Sequence, residues 1–259
     1  MNHEHTRAVV TGGAQGVGFA IAEQLIDEGC RHIVLAGRDI AKGARAVEKL
    51  SRDDRVVHFE PIDLRNVDAC TRLIETAIEK LGYLNGLVNA AALGARGTLL
   101  DTSVELWDAM FETNARAPFF LMQRFVQHRK DSGGGGSIVN ILSQNVHCGQ
   151  SYLTSYSASK GALATLTKNV ANAHRFDRIR CNAILPGWMD TPGEDATQRM
   201  YHGATDGWLE RAEQKQPMGQ LAKPAQLAGL ASYMLNEQSG VMTGAIVDYD
   251  QNVPGSYPE

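Results

Sequence analysis

The sequence predicts an α/β fold built on a doubly wound parallel sheet with helices on both faces. Three observations lead there. Short apolar runs alternate with helical patterns along the chain, a glycine-rich turn joins the first run to the first helix, and no composition shift marks a linker anywhere in the 259 residues.

Ala8-Val9-Val10 reads as a buried strand, Thr11-Gly12-Gly13-Ala14-Gln15-Gly16-Val17-Gly18 as a turn, and 19–28 as a helix. Strands follow at 33–36, 55–59, 86–89, 137–141 and 180–185, each succeeded by a helical stretch: 40–50, 66–81, 103–129, 155–174 and 224–235 are the helices, and 245–247 is a last strand. Repeated strand–helix units imply a parallel sheet covered on both sides, a three-layer α/β/α arrangement of Rossmann type spanning 1–259 as one domain. Thr102 with Glu105 three residues on gives a capping-box pattern for the helix at 103–129. Inside that helix Pro118 has no N–H to offer the carbonyl of Asn114, which predicts a kink and a freed interior carbonyl. A buried water that only satisfies this carbonyl and a water serving a proton relay are both open readings. Gly133-Gly-Gly-Gly136 reads as an exposed helix-to-strand connection.

With 25 basic and 29 acidic residues the net charge is −4, and no basic stripe interleaved with aromatics points to nucleic acid. A small-molecule partner is favoured. No apolar run approaches the roughly 20 residues of a membrane span, and Met1-Asn-His-Glu-His-Thr lacks a signal-type pattern, so a cytoplasmic location is expected without membrane attachment. Cys30, Cys70, Cys148 and Cys181 lack metal-type spacing and read as packing thiols, with no metal site; Cys148, five residues after Ser143, is nearest the candidate chemistry.

That chemistry lies at Ser143 and at Tyr156-Ser-Ala-Ser-Lys160. Tyr and Lys at i and i+4 share one helix face. A free phenol titrates near pH 10, and a neighbouring ammonium favours the phenolate, which predicts a lowered Tyr156 pKa and a proton shuttle. Ser143 ends an apolar run and is placed to hydrogen-bond the same substrate oxygen. The glycine turn before a helix N-terminus is a pyrophosphate site. Together these propose carbonyl or alcohol chemistry with a dinucleotide.

These features resemble the short-chain dehydrogenase/reductase family, in its compact branch, over nearly the whole chain. The family's glycine turn is matched by Thr11, Gly12, Gly16 and Gly18, with Gln15 and Val17 between them; its adenine-side aspartate by Asp63, next to Leu64; and its strand-end asparagine by Asn89. Its catalytic Asn, Ser, Tyr and Lys correspond to Asn114, Ser143, Tyr156 and Lys160, and its nicotinamide-side segment to Pro186-Gly187-Trp188-Met189-Asp190-Thr191. The resemblance implies that Ser143 positions the oxygen, Tyr156 exchanges the proton, Lys160 holds the ribose and tunes Tyr156, and Asn114 holds a water linking Lys160 to solvent. It also implies a homotetramer or homodimer built on the long helices beginning near Ser103 and Ser155, where Ala158, Gly161, Ala162 and Ala164 would permit close packing. Two departures stand out. Asn89-Ala90-Ala91-Ala92 replaces Asn-Asn-Ala-Gly, removing a polar tie, and Val247-Asp248-Tyr249-Asp250 replaces Val-Asp-Gly-Gly, which leaves the path of the tail 251–259 open.

After the second strand comes Leu35-Ala36-Gly37-Arg38-Asp39. An acid there would bond a ribose 2′-hydroxyl, whereas Gly37 leaves no carboxylate and Arg38 can pair with a 2′-phosphate, so NADP(H) is favoured over NAD(H). The alternative has Arg38 only starting the next helix, Asp39 capping it, and NAD accepted. Gln144, Asn145, His147, Gln150, Trp188 and Glu194 are expected on the substrate side, and their polarity suits a sugar or polyol better than a steroid or long acyl chain. Residues 191–216 read as a lid. A 3-oxoacyl-carrier or other ketone reductase is the alternative within this chemistry, and a non-catalytic dinucleotide-binding regulatory protein the alternative outside it.

Overall fold

Each inner strand is apolar on both faces because both faces are covered. In β1 (Arg7–Thr11), Val9 joins one core while Ala8 and Val10 join the other; β2 (His32–Gly37) divides Val34 and Ala36 from Ile33 and Leu35 in the same way. The computed structural model describes residues 1–52, 54–147 and 149–255. The sheet continues through β3 (Val56–Pro61), β4 (Gly86–Asn89), β5 (Gly136–Ile141), β6 (Ile179–Pro186) and β7 (Ile246–Tyr249), all pairs parallel, in the order β3-β2-β1-β4-β5-β6-β7.

Helices α1 (Gly16–Asp27), α2 (Ile40–Leu50) and α9 (Pro224–Leu235) seal one face, and α3 (Val67–Leu81), α5 (Ala117–Asp131) and α6 (Thr154–His174) the other. The strand order reverses between β1 and β4, and a crevice opens there beyond the carboxyl ends of the strands. The predicted fold class is the observed one, and several spans (86–89, 40–50, 224–235) agree to the residue. Among the described residues no helix is long and apolar enough to cross a membrane.

The differences have identifiable causes. The helix expected at 103–129 is α4 (Val104–Phe111), a π-helical turn at Glu112–Arg116, and then α5. Pro118 cannot donate to Asn114, and the chain adopts the wider turn, with the Ala117 N–H bonded to the Glu112 carbonyl five residues back. Ser103 rather than Thr102 caps α4, its Oγ accepting from the Leu106 N–H at 3.2 Å, because the Thr102 hydroxyl donates to the Thr98 carbonyl at 2.6 Å. The glycine run is only partly exposed: Arg129 donates from Nε to the Gly135 carbonyl at 2.8 Å, and its guanidinium fills the space a Cβ at Gly134 would need. Ala164 is buried in the core, not on an open helix face. Residues 191–216 carry two helices, α7 (Pro192–His202) and α8 (Trp208–Glu213). Cys148 and the last four residues of the tail lie outside the described residues.

Candidate active site

At the nucleotide end the backbone shapes the site. Gly12 has φ +67°, and a Cβ there would come within 3.0 Å of the Ala91 backbone; at Gly18 it would come within 2.5 Å of the Gly12 carbonyl. The turn therefore folds tightly against the start of α1. The N-cap of α1, Gln15, makes no side-chain cap bond, so the first N–H groups face the crevice. A cleft of about 920 Å³ runs from this turn past Ile62–Arg65 and 90–93 to Thr191 and Gly193. Its size and its donor-lined floor fit a dinucleotide.

Gly12, Gln15, Gly16, Val17, Gly18, Arg38, Asp63, Leu64 and Thr191 all line this cleft. Lys42 and Arg65, which the sequence reading passed over, line it too, so with Arg38 three cations border the cleft. Lys42 Nζ is held at 2.7 Å from Gln15 Oε1. Asp39 caps α2, its Oδ1 accepting from the Lys42 N–H at 2.9 Å; that bond, foremost, lowers its pKa. Asp63 is bound by Arg65, Nη2 to Oδ2 at 2.6 Å, and the same bond holds its carboxyl below the usual carboxylate range.

Six expected cofactor residues are not in that lining: Tyr156 and Lys160 of the proton-transfer pair, and Asn89, Pro186, Gly187 and Met189. Asn89 is buried, donating from Nδ2 to Asn140 Oδ1 at 2.8 Å, while its own Oδ1 has no partner among the described residues. Pro186 is buried at the end of β6 against Tyr249, Met189 packs on the core and bridges to Ala222, and Gly187 lies against the Asp250 carboxylate, which leaves no room for a side chain. The tie lost from the strand end is replaced by Thr11, whose Oγ1 accepts from the Ala90 and Ala91 N–H groups at 3.1 and 3.2 Å.

At the other end, Ser143 follows β5 and caps a short turn, Gln144–Val146. Its hydroxyl donates to Asn145 Oδ1 at 2.9 Å, and it is close enough to the Tyr156 phenol to act on its pKa. Tyr156 and Lys160 sit one turn apart at the start of α6. The expected lowering of the Tyr156 pKa does not occur: burial raises it, while Ser143 and Arg96 pull it down and Glu194 pushes it up. The physical reason is position. Lys160 Nζ donates to the Ile141 carbonyl at 2.7 Å and lies 5.9 Å from the Tyr156 ring centre, and burial brings its own pKa down to about 8. Asn114 is fully buried and its amide is occupied: Oδ1 accepts from the Leu93 N–H at 2.8 Å, and Nδ2 donates to the Leu93 carbonyl and to Ser159 Oγ. It pins the loop after β4 to α6.

The expected substrate residues divide. Asn145 and Gln150 stay beside Ser143, linked at 3.2 Å, and Trp188 donates to Glu194 Oε1 at 2.7 Å. Gln144 and His147 turn away to one carboxylate oxygen, Asp248 Oδ1, at 3.1 and 2.7 Å. They tie the loop after β5 to the end of β7. Among the described residues no group of three or more His, Cys, Asp or Glu is arranged to hold a metal.

A family model described as enoyl-(acyl carrier protein) reductase matches residues 12–251. The chain belongs to the short-chain dehydrogenase/reductase family. Within it, the chain is 32% identical over 240 residues to an NADP-dependent (R)-specific alcohol dehydrogenase of Lentilactobacillus kefiri, covering 92% of each. It is 28% identical over 249 residues to a galactitol 2-dehydrogenase of Agrobacterium fabrum, 94% of this chain and 95% of the relative. The L-sorbose reductase of Gluconobacter frateurii, solved with NADPH and L-sorbose, superposes with a TM-score of 0.89 at 26% identity over 97% of both chains. This family member is an NAD(P)-dependent oxidoreductase that exchanges hydride between a nicotinamide and a secondary alcohol or ketone.

Proposed function

We propose that the chain is an NADP(H)-dependent dehydrogenase of a polyhydroxylated secondary alcohol, a sugar or polyol, working as one catalytic domain over 1–259 in the cytoplasm. The observation that carries the cofactor reading is the trio Arg38, Lys42 and Arg65 at the end of the cleft beside Gly37, with Asp39 committed to its helix cap. A dianionic 2′-phosphate suits those cations, and no free carboxylate waits there for a 2′-hydroxyl. The substrate reading rests on the polar rim of Asn145, Gln150 and Glu194 with the Trp188 ring beside it, and the galactitol and sorbose enzymes named above act on molecules of that kind.

Hydride chemistry is what the nicotinamide supplies when bound. Gly12, Gly16, Gly18 and the α1 N-terminus hold its pyrophosphate. Ser143 Oγ and Tyr156 Oη bracket the reacting oxygen, Tyr156 passing the proton and Ser143 holding the oxygen in line. Lys160, anchored at the Ile141 carbonyl, would hold the ribose of the bound cofactor. Residues 191–216 form the lid, α7 and α8 being fastened by the Glu194–Trp188 and Asp195–Trp208 bonds; closed, they exclude water. The catalytic unit assembles as a homodimer or homotetramer across the long helices, which sedimentation at micromolar concentration tests.

Initial rates of nicotinamide absorbance change, with polyols, sugars and ketones and with both cofactors, test the whole reading. Turnover of hydroxylated substrates with NADP(H), abolished in Tyr156→Phe, is the expected result. Faster turnover with NAD(H), or activity only on 3-oxoacyl thioesters, would overturn it.

A further inference from the structure

Arg96 lies on the loop after β4, and the backbone fastens that loop to the start of α6. Gly97 bridges to Leu153, its N–H donates to the Tyr152 carbonyl at 2.9 Å, and the Thr154 N–H donates to the Gly97 carbonyl at 3.2 Å. The guanidinium is then oriented by three contacts. Nη1 donates to the Gly94 carbonyl at 2.8 Å, Nε to His202 Nε2 at 3.3 Å, and the group lies 5.6 Å from the centre of the Tyr152 ring. Arg96 is half-buried, and among the described residues no acid pairs with it. Its Nη2 hydrogens have no partner there.

The loop that carries Arg96 is fastened at Tyr152, Leu153 and Thr154, just before Tyr156 on α6, and Arg96 and Glu194 both act on the phenol, with opposite charge. Trp188 and Gln198 both donate to Glu194 Oε1, at 2.7 Å each, which leaves Oε2 to accept from a substrate hydroxyl. The mouth therefore presents one positive and one negative group within electrostatic reach of Tyr156. A planar guanidinium without a counter-ion, held by contacts that leave its outer edge open, matches a carboxylate through paired N–H···O bonds.

We propose that the substrate is a polyhydroxy acid, its carboxylate on the open edge of Arg96, its reacting carbinol between Ser143 and Tyr156, and a further hydroxyl on Glu194. This deepens, and rests on, the reading of the site as a dehydrogenase of hydroxylated substrates. In the oxidising direction the carbinol carbon gives a hydride to NADP⁺, and the hydroxyl proton leaves through Tyr156 to solvent. The products are the keto acid, NADPH and a proton. Arg96 is thus a specificity residue that the sequence did not mark.

The test uses matched pairs on the full-length enzyme: an alditol against the aldonate of the same configuration, and an aldose against its uronate, each with NADP⁺. The acid of each pair is expected to show kcat/KM about 10- to 100-fold above its neutral counterpart, the worth of a charge-assisted pair. Arg96→Gln should erase that ratio mainly through KM, and Arg96→Lys should restore part of it. Thermal unfolding and NADPH titration show whether each variant is folded; should the Gln variant fail, the wild-type KM for the acid alone must rise with added salt. Equal or better turnover of the neutral partner would overturn the assignment while leaving the sugar reading standing. An Arg96→Gln loss equal for acid and neutral compounds would make Arg96 a lid fastening through His202 and also overturn it. Turnover of simple ketones with no hydroxylated compound of either charge would sink both readings together.

Discussion

The two ends of the cleft are made of different material. At the nucleotide end the contacts are backbone, a turn and a helix start contiguous in sequence, and the close approach of Gly18 to the Gly12 carbonyl is settled within seven residues, 12–18. At the substrate end they are side chains drawn together from remote segments: Gln144 and His147 reach Asp248 across 104 and 101 residues, and Arg96 reaches His202 across 106. A backbone site varies little because many side chains are compatible with it. A side-chain site changes with each substitution, so the nucleotide end tolerates substitution better than the substrate end does.

The largest break between the two ends should come from Tyr156→Phe. Removing the phenolic proton donor is expected to lower kcat by about 10²- to 10⁴-fold while NADPH affinity, read by fluorescence titration, changes little. A collapse of affinity would mean that the ends are not separable.

At the nucleotide end, Gly37→Asp places a carboxylate among Arg38, Lys42 and Arg65. The ratio of kcat/KM for NADP(H) over NAD(H) should fall by about 10- to 100-fold, the loss of one charge-assisted phosphate contact and the gain of a repulsive one. Substrate KM should not follow. If it does, Gly37 acts on the whole crevice.

Lys160 joins the two ends, and its burial has a pH signature. Below pH 8 the ammonium is charged in folded and unfolded protein alike, so the desolvation cost is constant. Above pH 8 the folded protein releases the proton while the unfolded chain keeps it up to 10.5, and stability rises. The buried thiols of Cys30 and Cys70, pushed to about 11, and of Cys181, pushed to about 12, act in the opposite sense as the unfolded thiols ionise around pH 9, and they already offset the gain between pH 8 and 9. The Lys160 contribution, about 1 kcal/mol between pH 8 and 9, is therefore expected as the difference between the wild type and Lys160→Met in urea unfolding without added nucleotide. Lys160→Met should make stability fall across that interval, and a slope equal to that of the wild type would refute the assignment.

The smallest effect concerns the substrate end alone. Lys223 Nζ bonds Asp190 Oδ2 at 2.8 Å and Glu213 Oε1 at 2.5 Å, tying the segment after β6 to α8. Lys223→Ala should raise substrate KM roughly two- to fivefold, as expected for a partly exposed pair, with cofactor KM unchanged. A change in cofactor KM instead would show that this tie supports the wall near Thr191.

Legibility in the sequence follows the same division. The alternation of Val9 with Ala8 and Val10, the glycine turn and the i, i+4 spacing of Tyr156 and Lys160 are local patterns, and they held in the structure. Thr191 as N-cap, Pro192 in the first turn and left-handed Gly203 at the C-cap were also local signals of α7, yet the glycines and mixed charges of 191–216 read as a lid with no helix assigned. Lys42 and Arg65 escaped notice because nothing in their own surroundings distinguishes them from solvated charges; the folding of α2 and of the loop after β3 brings them to one end of the cleft.

The succession of strands and helices, the phosphate turn and the proton-transfer pair were determined by sequence alone, because hydrophobic period, glycine conformation and helical spacing act over a few residues. Where the charges stand was decided by the tertiary structure. Burial raised Tyr156 and lowered Lys160, Asp248 took hydrogen bonds from Gln144 and His147, and Arg96 and Glu194 brought opposite charges to bear on the phenol. Electrostatic and desolvation energies depend on distances through space and on access to water, and only the packed chain sets those.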